Sequence, residues 1–152
     1  MAGRSAILLG VVLISLAGCG GGSEAGTPPC VVDEDEMASI LDQDGVFAAP
    51  QQGGSDCIYA TEGNPLIRLS VRTPAQFQAE RDKFENVGVK LPPLEPVEGF
   101  DGAANVDPRY NSLNVTAGDR IVSVEIVGRE PSDPDDQLDL EKRIARAAVD
   151  AL

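Results

Sequence analysis

Three thiols, Cys19, Cys30 and Cys57, are the groups of greatest intrinsic reactivity in a chain of 152 residues that contains no histidine. The missing imidazole rules out Ser-His-Asp and Cys-His nucleophilic catalysis within the chain. A zinc site would have to be built from thiolates and carboxylates alone. Carboxylates are abundant: 25 Asp+Glu stand against 12 Lys+Arg, a formal net charge of −13. Paired carboxylates suffice for glycoside hydrolysis, so a carboxylate-dependent enzyme stays open as a function class. The two densest acidic runs, Asp33 to Glu36 and Asp133 to Asp136, lack calcium-loop spacing. Both sit where helices begin, so they read as helix caps rather than cation sites. No catalytic residue, metal ligand or cofactor is assigned.

The charge excludes other roles. Nucleic-acid binding depends on Lys and Arg neutralising phosphates, and a surface this acidic repels them. It repels anionic lipid head groups as well. "GFDGAA", Gly99 to Ala104, is not a phosphate loop, because it lacks both the G-x-G-x-x-G order and a following Lys-Ser/Thr. Hydrophobic residues make up 42% of the chain, enough for a core.

Cys19 follows an apolar run, "AILLGVVLISL" from Ala6 to Leu16, with Arg4 the one charge ahead of it. As a helix this run covers roughly half of a ~30 Å hydrocarbon layer. It is too short to span a membrane well and suits the apolar region of a signal peptide. Leu16-Ala17-Gly18-Cys19 resembles the bacterial lipobox at all four positions. The resemblance implies a diacylglyceryl group on the Cys19 thiol and cleavage between Gly18 and Cys19. A plain secreted chain, or a short anchor with an incidental cysteine, is the alternative. One acyl chain anchors only marginally, at about 0.8 kcal/mol per buried CH₂, whereas two or three on one residue hold durably. Residues 1–18 are thus expected to be a signal peptide and residues 19–29 a lipidated cysteine with its tether. The ten residues "GGGSEAGTPP" reach at most about 33–36 Å.

Lipid on Cys19 leaves Cys30 and Cys57. Outside the cytoplasm two such thiols are expected to pair. A free reactive thiol and an intermolecular bridge are the alternatives.

Residues 30–152 read as one domain. A helix over Asp33 to Leu41 puts Met37, Ile40 and Leu41 on one face. "CIYAT" and "LIRLSVR" read as two strands joined by a turn, the second alternating apolar Ile67, Leu69 and Val71 with polar neighbours. Thr73-Pro74-Ala75-Gln76 is a helix start with a capping box. The stripe Phe77, Arg81, Phe84, Gly88 follows, with both phenylalanines expected in the core. Lys90 to Val106 is too rich in Pro and Gly for regular helix. "SLNVTA" and "RIVSVEIV" flank Gly118-Asp119 as the clearest hairpin. A last helix begins at Asp133-Pro134, with Leu140, Ile144, Ala148 and Leu152 in line. The expected fold is α+β: an antiparallel sheet of about four to five strands with helices packed on one face.

These landmarks together, Pro29-Cys30, Cys57-x-Tyr59, "GFDGAA", the "LNVTAGDRIVSVEI" hairpin and an Ala-rich last helix, resemble a family of actinobacterial lipoproteins known only as a domain of unknown function. The resemblance covers Cys30 to Leu152. Val31-Val32-Asp33 stands where the family has a Leu-rich start. It implies a Cys30–Cys57 disulfide, a cell-envelope setting and no established activity.

The expected protein is therefore a lipoprotein of the cell membrane, held through Cys19 and facing the extracytoplasmic side. Its expected role is non-enzymatic, as a binding module for an unknown protein or envelope ligand, with no nucleic-acid partner. A lipid or small-ligand carrier is the alternative, and a carboxylate-dependent envelope enzyme a further one.

Overall fold

A computed structural model describes residues 30–51, 54–62, 66–127 and 133–152. Residues 1–29, which hold the expected signal peptide, Cys19 and the expected tether, lie outside the described residues, as do positions 63–65 of the turn expected between the first two strands.

The first helix, α1 (Glu34–Leu41), begins as its sequence requires. The Asp33 carboxylate accepts from the Glu36 amide at 2.7 Å, and three acidic residues occupy the positive end of the helix. It ends at Asp42, a left-handed residue with φ 52°. Three strands follow: β1 (Phe47–Pro50), β2 (Asp56–Ala60) and β3 (Leu66–Arg72). Helix α2 (Pro74–Asn86) carries the complete capping box, with Thr73 and Gln76 satisfying each other's backbone amides. The Pro-rich stretch holds β4 (Glu95–Pro96) and β5 (Ala104–Asp107); β6 (Ser112–Ala117), β7 (Arg120–Val127) and α3 (Pro134–Asp150) complete the chain.

All seven strands form one antiparallel sheet in the order β1-β2-β3-β7-β6-β5-β4. The α+β class is as expected, but the sheet is larger than four to five strands. β1, β4 and β5 are the additions, at four, two and four residues. Segments that short show no useful alternation, and two of them contain proline, so their strand character comes from their neighbours.

Alternation sorts the long strands into two faces. Ile67, Leu69, Leu113, Val115, Val122 and Val124 point to one side and are buried. Met37 of α1 and Ile144, Ala145 and Ala148 of α3 close over them to make the core. The helices are not all on that face, which corrects the expected layering. α2 packs across β3 and β7 from the other side. None of its residues is buried, and Phe77 and Phe84 lie outside the core. The arrangement is three layers, the outer one on the α2 side loosely applied.

Cys30 and Cys57 form the disulfide, with Cα atoms 5.1 Å apart. The bridge closes a sequence separation of 27 residues, which in the chain-entropy picture stabilises the fold by about 3.6 kcal/mol at most. Beside it, the Tyr59 hydroxyl donates to the Val32 carbonyl at 2.7 Å.

The "GFDGAA" segment turns the chain from β4 into β5 against the β6–β7 hairpin. A Cβ on Gly102 would lie 2.1 Å from the Thr116 carbonyl oxygen, so only glycine allows the two backbones to approach. Ala103 accepts from the Thr116 amide at 2.8 Å in the same contact. Arg146 of α3 stacks 5.4 Å above the Phe100 ring.

Candidate functional site

The loose fit of α2 leaves a cavity of about 280 Å³ between that helix and the sheet. Its floor is set by strand register. Ser70 pairs with Ser123, Ser123 with Asn114 and Asn114 with Asn105, so one polar rung crosses β3, β7, β6 and β5. The adjacent rung runs Arg68, Glu125, Ser112, Asp107 across the same strands. Ser70, Ser112, Asn114 and Ser123 are all buried. Ser123 donates to the Asn114 carboxamide oxygen at 2.7 Å, and that amide's nitrogen reaches the Ser112 carbonyl at 3.3 Å. These bonds fix the orientation of the Asn114 side chain. Buried under a helix, such a row persists only when its groups are satisfied by one another or by what sits above them.

The wall is aromatic and aliphatic: Phe77, Phe84, Leu91 and Tyr110. Phe84 and Tyr110 are neighbours with ring centroids 5.9 Å apart, and the Arg109 guanidinium lies 4.4 Å over the Phe84 ring. This cation–π cluster forms the rim.

Ion pairs fasten the helix at its distance. Arg81 of α2 meets Asp107 of β5 at 2.7 Å, a largely buried pair with side chains 16% and 6% exposed. Arg81 also donates to the Pro92 carbonyl at 3.3 Å, while Asp107 takes the Arg109 amide at 3.0 Å. Arg72 reaches Asp56 at 2.9 Å and Glu80 of α2 at 3.2 Å. The second contact is out of line for a hydrogen bond, and the Arg72 Nε hydrogen is left buried without an acceptor among the described residues. Arg68 pairs with Glu125 at 2.9 Å. Three arginines and three carboxylates (Glu80, Asp107, Glu125) line the cavity, so its formal charge is zero in a chain of net −13. Each of those carboxylates is already engaged by an arginine.

One carboxyl lies elsewhere. Glu141 of α3 is 2% exposed, and its Oε1 accepts from the Gln137 amide group at 3.0 Å. Burial pushes its pKa up to about 7, with the Gln137 bond acting against the rise and the Glu125 charge adding to it. Burial likewise raises Tyr59 to about 12.

The sequence-assigned site residues divide in two. Cys30 and Cys57 are bridged, and Cys19 lies outside the described residues. Of the cleft residues, the Phe77, Arg81, Phe84 stripe was legible as a helix face, with its phenylalanines expected in the core, and the polar floor carried no sequence signal strong enough to be singled out. The floor's signature is small polar residues, Ser70, Asn114 and Ser123, within strands. Among the described residues no group of three or more Cys, Asp or Glu is placed to hold a metal ion, and no described helix is long and apolar enough to cross a membrane. Compared with known proteins, the chain matches no family model, no curated protein and no solved structure.

Proposed function

We propose that this protein is a lipoprotein of the cell envelope, anchored by acyl chains on Cys19 and facing the extracytoplasmic side, whose domain works as a non-enzymatic binding module. The α2 cleft is its binding site. The observation that carries the reading is the cavity of about 280 Å³, roofed by a helix with no buried residue and floored by buried polar groups. A sheet that needed only to be covered would present apolar residues there, as its other face does. Concave sites with apolar walls and a few converging polar groups are the usual form of small-ligand pockets.

The lipid anchor and the acidic domain fit together physically. Anchorage through fatty chains frees the folded part from presenting an apolar or basic face to the bilayer. The arginine-engaged carboxylates favour binding over acid/base catalysis, and the polar floor is a poor lining for an acyl chain.

Two measurements on the full chain purified from its native membrane test the reading. Mass spectrometry of the N-terminal peptide is expected to find it beginning at Cys19 with a glyceride on the thiol. Native mass spectrometry of the intact protein is expected to find a small molecule that is retained by the wild type and lost from Ser123→Phe, which fills the cleft. An N-terminus elsewhere sinks the anchor. A molecule retained equally by the filled variant sinks the cleft.

A further inference from the structure

We infer that the cleft takes a neutral, polyhydroxylated ligand, a single saccharide unit. This rests on the cleft being the binding site and goes further by fixing the chemical class of the ligand. Three features carry it.

The first is charge. A lining of three arginines and three carboxylates has no surplus of either sign, and each of those carboxylates faces an arginine. An anion entering would meet three carboxylates and find every guanidinium already facing a carboxylate, with the Arg72 Nε–H, unpartnered among the described residues, left for an acceptor that a neutral hydroxyl can supply. A cation meets the mirror problem. A neutral molecule displaces neither set of partners.

The second is the mixture of donors and acceptors across the floor. The rung Arg68, Glu125, Ser112, Asp107 runs guanidinium, carboxylate, hydroxyl and carboxylate, and the rung beside it places the hydroxyls of Ser70 and Ser123 next to the Asn114 carboxamide. A hydroxyl is both donor and acceptor. A ligand bearing several on adjacent carbons matches such a grid at each position, where an apolar molecule would leave the buried groups unpaired. The Asn114 carboxamide is already oriented by Ser123 and by the Ser112 carbonyl, so little ordering remains to be done on binding.

The third is the wall. Phe77, Phe84 and Tyr110 stand on one side of the cavity and the polar rungs on the other. A sugar ring has the same division, with C–H bonds across its faces and hydroxyls around its edge. The cavity of about 280 Å³ has room for one ring and not for an extended chain of them within it.

Saturation-transfer difference NMR tests this on the full-length chain in lipid nanodiscs, free of glycoside detergent. The probes are the methyl glycosides of glucose, mannose and N-acetylglucosamine, with inorganic phosphate as the anionic arm, followed by ³¹P line width. At least one glycoside is expected to receive saturation at its ring C–H protons. The signal should fall at least fivefold in Phe84→Leu and in Ser123→Val, both checked for native circular dichroism, and stay within twofold in Arg120→Ala, away from the cleft. Phosphate is expected to show no broadening that these variants abolish. No transfer to any glycoside, equal transfer to the cleft variants, or cleft-dependent phosphate broadening each overturns the saccharide assignment. A non-saccharide molecule retained by the wild type in the native mass spectra overturns it too, while leaving the cleft as a binding site.

Discussion

Tyr59 grips the carbonyl of Val32 at 2.7 Å, two residues along from where Cys57 is bonded to Cys30. The two contacts run side by side on the core face of β2. Together they fix the segment through which the chain enters the domain, and Val32 and Tyr59 are both fully buried. Force transmitted from a membrane anchor would reach the fold at this double fastening.

Tyr59→Phe should therefore lower the unfolding free energy by about 1–3 kcal/mol, because it leaves the Val32 carbonyl buried without a donor. Reduction of the disulfide should cost up to about 3.6 kcal/mol. The two changes act on one segment and are expected to be non-additive by more than about 0.5 kcal/mol. Urea unfolding of the four species measures this, and strict additivity would refute the shared role.

Glu141 gives the fold a pH dependence of defined sign. Its carboxyl is raised in the folded state to about 7 from an ordinary 4.5. The folded protein therefore holds the proton more tightly than the unfolded chain. The stabilisation is complete below about pH 4.5 and is lost as pH rises through about 7. Glu141→Gln keeps the shape and removes the titration. At pH 8 it is expected to be more stable than the wild type by on the order of 2–3 kcal/mol, with the advantage shrinking as pH falls towards 5. Thermal unfolding across that range tests it; a difference independent of pH would contradict the assignment.

Glu34 guards an open sheet edge. Gln51 donates inward to Asp56 at 2.8 Å, so alternation turns the amide positions of Ala48 and Pro50 outward. Proline has no hydrogen to offer, and the Ala48 amide donates to the Glu34 carboxylate at 2.7 Å. Both outward positions are thus closed to a further strand. In Glu34→Ala the Ala48 amide should lose at least tenfold of its hydrogen-exchange protection, a loss of about 1.4 kcal/mol or more. Unchanged protection at Ala48 would show that Glu34 does not guard the edge.

Gly102→Ala should destabilise the domain by about 2–3 kcal/mol, since the added Cβ would sit 2.1 Å from the Thr116 carbonyl and the obstacle is backbone. Gly118→Ala, with nothing within 4 Å of its Cβ, should cost less despite its φ of 58°. Denaturant midpoints that reverse this order would contradict the close approach.

The elements that can be read from local pattern are those whose signals are local. Asp33, Thr73 and Asp133 cap their helices because the bond to an amide two or three residues on lies within one turn of chain. The strands β3, β6 and β7 are long enough for their alternation to declare a buried face. The lipobox-like run before Cys19 set that cysteine apart and left Cys30 and Cys57 as the expected pair, and these two are bonded. α3 was legible as a helix, and Ile144 and Ala148 of its apolar stripe are buried, but Glu141 is buried with them while Leu152, past the helix end, is 45% exposed, since the facing surface and not the apolar stripe alone decides what turns inward.

What the tertiary structure alone decided is the cleft. Whether α2 joins the other helices or crosses to the far side of the sheet depends on Arg81 meeting Asp107, 26 residues away, and on Glu80 meeting Arg72. No local propensity encodes such pairings. Ser70, Ser123 and Asn114 are unremarkable in their own strands. They become a floor only when register sets them side by side, because a sheet joins residues across distances over which sequence pattern carries no phase.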